Sequence, residues 1–167
     1  MELYFLRHAT AVDRGTPGYD DDSQRPLTAD GRKQMGRAAK GMKALGLKFD
    51  LILSSPYVRA RATAELVAET LKARSRLKFS DDLAADGDPQ ALIKGLASLP
   101  GPPECVLLVG HEPYLSGLAA RLIAGTASVS LKLKKGGLCK LSADRLKFGH
   151  CAELEWLLTP RLLAQLA

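Results

Sequence analysis

Two of the chain's three histidines stand where an apolar run ends. Leu3-Tyr4-Phe5-Leu6 runs into Arg7-His8, and Cys105-Val106-Leu107-Leu108-Val109 runs into Gly110-His111. A third run, Leu51-Ile52-Leu53, ends in Ser54-Ser55 just before a segment carrying Arg59. Arginine presents a planar fork of donors that matches phosphoryl oxygens and stays charged. A neutral imidazole can attack phosphorus and hold the phosphoryl group, dividing one hydrolysis into two displacements. Arg7 and Arg59 beside His8 would also disfavour its protonation and keep the attacking nitrogen free. His111 would add a donor to the equatorial oxygens. Phosphoryl transfer depends mainly on positioning and charge stabilisation, so such a cationic cage can replace Mg²⁺. These residue types predict a phosphate site with no metal and no cofactor.

The elements that must position them follow from periodicity. The three apolar runs read as buried strands, with a shorter one at Leu77 to Phe79. Val12 to Pro26 is rich in Gly, Pro and Asp and reads as a loop. Thr28 is a helix cap, followed by Met35, Ala38, Ala39, Met42 and Leu45 at helical spacing, with Gly46 as the stop. Ser55-Pro56 supplies a cap with proline at the first helical position, and Val58, Ala62, Leu66 and Val67 form the apolar face. Further helices are expected from Pro89 to about Leu99 and from Pro113 to about Ala124, where Gly125 stops the second. The last third changes rhythm. Val129 to Leu133, Leu138 to Leu141 and Cys151 to Leu158 read as strands joined in antiparallel hairpins, with turns at Gly136-Gly137 and Lys147 to Gly149.

Alternating strands and helices predict a three-layer α/β/α sandwich with a mostly parallel central sheet. Ligands of open sheets of this kind bind beyond the carboxyl ends of the strands, where the histidines fall. Helix N-termini there add partial positive charge. The loops are too short for a lid subdomain.

Composition narrows the partners. A chain of 167 residues is one domain's worth, so residues 1–167 are read as a single domain. With 46% hydrophobic and 25% charged residues it is an ordinary globule and not a disordered chain. Lys plus Arg is 24 against 18 for Asp plus Glu, a net +6 that favours anionic partners: phosphate ligands, nucleic acid or anionic lipid. The three cysteines lack Cys-x-x-Cys spacing, which argues against a disulfide framework or a cysteine zinc site. No apolar stretch has the length of a signal peptide or membrane span, so a cytoplasmic location is expected.

The same residues carry a resemblance. Leu6-Arg7-His8-Ala9 resembles the Arg-His-Gly signature of the histidine phosphatase superfamily, which has the phosphoglycerate mutase-like fold. Ser54-Ser55-Pro56 with Arg59 and Thr63 resembles its second motif, and Gly110-His111-Glu112-Pro113 its third. Arg25-Pro26-Leu27-Thr28, Lys134-Lys135-Gly136-Gly137 and the short length resemble the SixA-type phosphohistidine phosphatase branch. The resemblance implies that His8, Arg7, Arg59 and His111 are catalytic, with Arg25, Ser55 and Asp22 as candidate substrate-binding residues. It implies a histidine-phosphorylated protein as partner, such as a phosphotransfer domain, with neither nucleic acid nor membrane involved.

The chain departs from mutase-type relatives at the general acid. Their glutamate lies on a Leu-x-Glu segment, and the matching stretch here is Leu83-Ala84-Ala85. Asp82, Asp86 and Asp88 lie near but do not match it. Asp22 occupies a place where the phosphohistidine branch also has an aspartate. An alkoxide leaving group needs a proton donor, whereas an imidazole can depart already protonated. The missing glutamate therefore fits phosphohistidine better than a phosphate monoester. The alternatives are a phosphomonoesterase acting on a small metabolite and a non-catalytic module binding phosphate or nucleic acid.

Plainer readings stand beside these. Ser54 and Ser55 serve at least as a helix cap, and Asp22 reads as a solvated loop carboxylate beside Asp20 and Asp21. Arg61 and His150 read as surface residues, and Tyr57 and Tyr114 as packing residues, with lining of the substrate mouth as their alternative. Lys132, Lys134 and Lys135 read as a solvated strand face.

Overall fold

A computed structural model describes all residues, Met1–Ala167. Six strands form one sheet: β1 (Glu2–Arg7), β2 (Leu51–Ser54), β3 (Leu77–Phe79), β4 (Cys105–Gly110), β5 (Leu138–Ser142) and β6 (Glu153–Leu158). Their order is β3-β2-β4-β1-β5-β6. The pairs β3-β2, β2-β4 and β4-β1 are parallel, and the β5-β6 hairpin adds antiparallel to β1. Five helices cover the sheet: α1 (Ala29–Ala44), α2 (Val58–Thr70), α3 (Pro89–Ala97), α4 (Tyr114–Ala124) and α5 (Pro160–Gln165).

The strand residues alternate between two cores. Tyr4, Leu6, Ile52, Leu107 and Val109 face α1, α2 and α5, while Leu3, Phe5, Leu51, Val106 and Leu108 face α3 and α4. The result is the three-layer α/β/α sandwich expected. Each fully buried Leu, Ile or Phe contributes about 1.5–3 kcal/mol, so two-sided burial rather than strand propensity holds the central strands. Thr28 caps α1 as expected, its side chain accepting from the Gly31 N–H at 3.0 Å. Gly125 ends α4 at φ 76°, a left-handed position that glycine adopts without steric cost.

Three expectations fail, each for a local reason. Residues 129–133 form no strand. Instead Leu133 inserts into the α3/α4 core, and its carbonyl accepts from Arg7 Nη1 at 3.1 Å. The first of the two hairpins is therefore absent, while β5-β6 is present. Ser55 does not cap α2, which starts at Val58 with no side-chain cap. Leu45 is exposed, because α1 has already ended.

The sheet register decides where the chemistry meets. Arg7 pairs with Gly110 and Ser54 with Val109, so β1, β4 and β2 end side by side. The next residues, His8 and Ser55, continue the alignment through His8 N–H to Gly110 O at 3.0 Å and Ser55 N–H to Val109 O at 2.9 Å.

Candidate active site

One strand spacing separates the two histidines. Their ring centroids lie 5.2 Å apart over the carboxyl end of the sheet. Arg7, His8, Arg25, Arg59 and His111 line one cleft of about 240 Å³, and Ala85, Asp13, Arg14, Glu112 and Lys135 border it. Five cations thus surround the two imidazoles. A larger hollow of about 480 Å³ near Ser142, Asp144 and His150 has one histidine and no arginine or lysine, so it offers an anion far less.

Each imidazole is fixed by one hydrogen bond. His8 Nδ1 lies 2.7 Å from the carbonyl oxygen of Ala9, so Nδ1 carries the proton and Nε2 keeps its lone pair. The Ala9 N–H in turn donates to Thr63 Oγ1, which donates to Arg59 O at 2.7 Å. Buried Thr63 therefore ties the turn after β1 to α2, and so His8 to Arg59. His111 Nε2 lies 2.8 Å from Ser55 Oγ, which also accepts from the Tyr57 N–H at 3.3 Å, so this hydroxyl orients the second histidine and steadies the turn before α2 rather than capping the helix. Tyr57 sets its ring 5.0 Å from that of His111 and also lies under the Arg59 guanidinium, so it packs against the catalytic groups themselves.

Burial governs the charge state of both rings. His8 is 7% and His111 2% exposed. Desolvation pushes His8 down to about 3, opposed by its bond to Ala9 and reinforced by His111, Arg59 and Arg7. Desolvation, then Arg59, pushes His111 down to about 4. Both rings are neutral at pH 7. Because each holds fewer protons folded than unfolded below the ordinary 6.5, stability is full above that value. It falls as pH drops toward the folded values, by up to about 1.4 kcal/mol per pH unit for each ring. The melting midpoint should therefore decline already between about pH 6.5 and 5, above the usual carboxylate range. A flat midpoint across that window overturns the neutral-pair assignment.

Asp22 is no solvated loop charge. The loop of residues 12–26 is closed at its neck by a bridge between Ala11 and Leu27, which folds Asp22 back over α2. Its carboxylate accepts from Arg59 at 2.8 Å, Arg25 at 2.9 Å and Arg14 at 3.1 Å. Burial alone would raise this carboxyl, but the hydrogen bonds from Arg25, Arg59 and Arg14 outweigh it and hold it far below the usual range. A carboxylate so held carries no proton to give to a leaving group. Its effect is to anchor Arg59 and Arg25 and to reduce the repulsion among neighbouring guanidinium groups. Arg25 also donates from Nη1 to the Val12 carbonyl.

Arg59 keeps N–H groups beyond those spent on Asp22. Its Nε, like Arg7 Nε and His111 Nδ1, is buried without a hydrogen-bond partner. Unpaired buried donors are costly, and phosphoryl oxygens would supply acceptors. Arg14, Lys135 and Glu112 were not legible as cleft residues. Lys135 reaches the cleft from the Lys134–Gly137 turn, where the Gly136 N–H donates to the carbonyls of Arg7 and His8. Glu112 directly follows His111, and one of its oxygens accepts from the Ser116 N–H. Arg61 and His150 lie at the surface as expected. Asp88 caps α3, and Asp86 accepts from the Tyr57 hydroxyl. Ala85, the residue that the resemblance matches to the mutase-type glutamate, borders the cleft.

Residues 3–84 match the family model of the histidine phosphatase superfamily (branch 1). Phosphohistidine phosphatase SixA of Escherichia coli is 31% identical over 134 residues, 75% of this chain and 76% of that protein. The chain belongs to the histidine phosphatase superfamily. An uncharacterized protein of Picosynechococcus sp. is 37% identical over 166 residues, 98% of this chain and 99% of its own. Among solved structures, the protein histidine phosphatase SixA complexed with tungstate superposes with a TM-score of 0.81 at 24% identity, covering 96% of this chain and 98% of that one. That likeness is of fold. With phosphohistidine phosphatase SixA among its relatives, the chain is a phosphatase of this superfamily, a hydrolase of phosphoryl groups, and its cationic cleft is lined by both strand-end histidines. No helix is long and apolar enough to cross a membrane.

Proposed function

We propose that this phosphatase hydrolyses phosphohistidine on a protein substrate through a phosphohistidine intermediate on His8. The Nε2 lone pair attacks phosphorus, a new N–P bond forms, and the substrate's own N–P bond breaks. The departing imidazole leaves with the proton it already carries, so no external acid is required. Arg7, Arg59, Arg25 and His111 bind the phosphoryl oxygens through the displacement. Water then attacks the phosphorus, the His8 Nε2–P bond breaks, and inorganic phosphate departs with the water's protons while the ring returns to its neutral, Nδ1-protonated form.

The observation that supports this reading is that Asp22 is held ionised by three arginines, while Ala85, which the resemblance sets in the place of the mutase-type glutamate, borders the cleft. A monoesterase would lack a donor at the position its relatives use. The partner in this reading is a histidine-phosphorylated protein such as a phosphotransfer domain, met in the cytoplasm, where the three unpaired cysteines would stay reduced.

Hydrolysis of a phosphohistidine peptide, measured in EDTA beside sugar and nucleotide phosphates, tests it. General acid catalysis contributes about 10²–10⁴-fold, so kcat/KM for the peptide should exceed that for the monoesters by about 10² or more. A preference for monoesters overturns the substrate assignment. No turnover of either, with strongly salt-dependent nucleic-acid binding, would favour the non-catalytic module.

A further inference from the structure

The cleft does not end at its cationic wall. Ala85 also borders a second hollow of about 270 Å³, formed by Pro89, Pro113, Gly117, Leu118 and Phe148. Chain continuity joins the two: His111 and Glu112 line the cleft, and the very next residue, Pro113, lines the groove. Polarity changes abruptly between them, from arginines and histidines to proline, leucine and phenylalanine. Arg121 stacks its guanidinium 5.1 Å from the Phe148 ring centroid and so braces the outer wall. The volume falls below the range of pockets for drug-sized ligands, about 300–1,000 Å³, and suits a single large side chain.

Gly117 makes the groove informative. It sits inside α4, where glycine weakens a helix relative to alanine. Its φ is not in the left-handed region, and a Cβ there would meet nothing within 4 Å. Neither backbone nor internal packing requires glycine at this position. Its consequence is open space beside Leu118, next to the catalytic cleft.

We propose that this groove seats an apolar side chain of the phosphoprotein substrate, from a residue near the phosphohistidine held in the cleft. The proposal rests on the phosphohistidine reading and names what that substrate presents beside its phosphoryl group. A molecule reaching both hollows must carry an anion at one end and an apolar group at the other. A phosphorylated polypeptide does so, and free phosphohistidine does not. The groove thus sets which phosphoproteins are preferred, while the cleft performs the chemistry.

A matched pair of phosphohistidine peptides tests it, one with leucines and one with serines flanking the phosphorylated residue, alongside phosphoramidate as the small substrate. The wild type should favour the leucine peptide by at least about tenfold in kcat/KM, the effect of burying one such side chain. Gly117→Trp should fill the groove and remove that preference while phosphoramidate turnover persists, which also reports that the site is folded. Gly117→Ala, a smaller addition into open space, should retain the preference. Equal kcat/KM for the two peptides, or a preference unchanged in Gly117→Trp, overturns the groove assignment alone. A changed oligomeric state in Gly117→Trp with the peptide ratio intact assigns the groove to a second copy and also overturns it. Absence of phosphoramidate and peptide turnover in the wild type, with monoesters still hydrolysed, defeats the phosphohistidine reading and this proposal with it.

Discussion

Replacing His8 with alanine should abolish turnover, by roughly 10⁴-fold or more, as expected when a covalent nucleophile is removed. The fold should survive. The side chain makes one hydrogen bond, to the Ala9 carbonyl, and a neutral bond of this kind contributes about 0.5–1.5 kcal/mol. The trapped intermediate identifies the nucleophile directly. Brief reaction of the wild type with labelled substrate, followed by denaturation, should leave acid-labile, alkali-stable phosphate on His8 and none on the variant. Label on His111, or full activity in His8→Ala, would refute the assignment. His111 is the reasonable competitor because its ring is also buried and neutral. Its Nε2, however, is engaged with Ser55 Oγ, whereas the one hydrogen bond of the His8 ring is made by Nδ1 and leaves Nε2 free.

The second large effect should follow from separating Arg59 and Asp22. Charge-assisted hydrogen bonds contribute about 1.5–3 kcal/mol, so Arg59→Ala should lower kcat/KM at least about tenfold. Arg59→Lys should not restore it, because an ammonium cannot hold Asp22 and a phosphoryl oxygen with one planar fork. Asp22→Asn should also lower kcat/KM, and by the same factor for phosphohistidine and for monoesters, because the carboxylate acts by positioning guanidinium groups. A double-mutant cycle should find the Arg59 and Asp22 effects coupled. If Asp22→Asn impairs monoester hydrolysis selectively, Asp22 is donating a proton and the positioning role falls. That outcome would require the carboxyl to be protonated despite three arginine contacts.

Arg7, His8, Arg59 and His111 were legible in sequence because their signal is local. Each follows or closely succeeds an apolar run, and the carboxyl ends of neighbouring parallel strands converge whatever the loops do. The helices were legible for the same reason, since burial on one face imposes helical spacing on Met35, Ala38, Ala39 and Met42. Ala85, at the end of the Leu83-Ala84-Ala85 stretch, borders the cleft. What escaped depends on contacts remote in sequence. Asp22 and Arg59 are 37 residues apart and Ser55 and His111 are 56 apart, so no local pattern distinguishes a charge hub from a solvated aspartate or an orienting hydroxyl from a cap. Residues 129–133 have strand-like composition, yet the chain there serves Arg7 through the Leu133 carbonyl rather than a sheet ladder. Periodic burial determined the sandwich and the strand ends at Arg7-His8, Ser54-Ser55 and Gly110-His111 from sequence alone. Only the tertiary structure decided the charge states, the Asp22 hub and the apolar groove beside Ala85, because desolvation and long-range hydrogen bonds exist only once distant segments pack together.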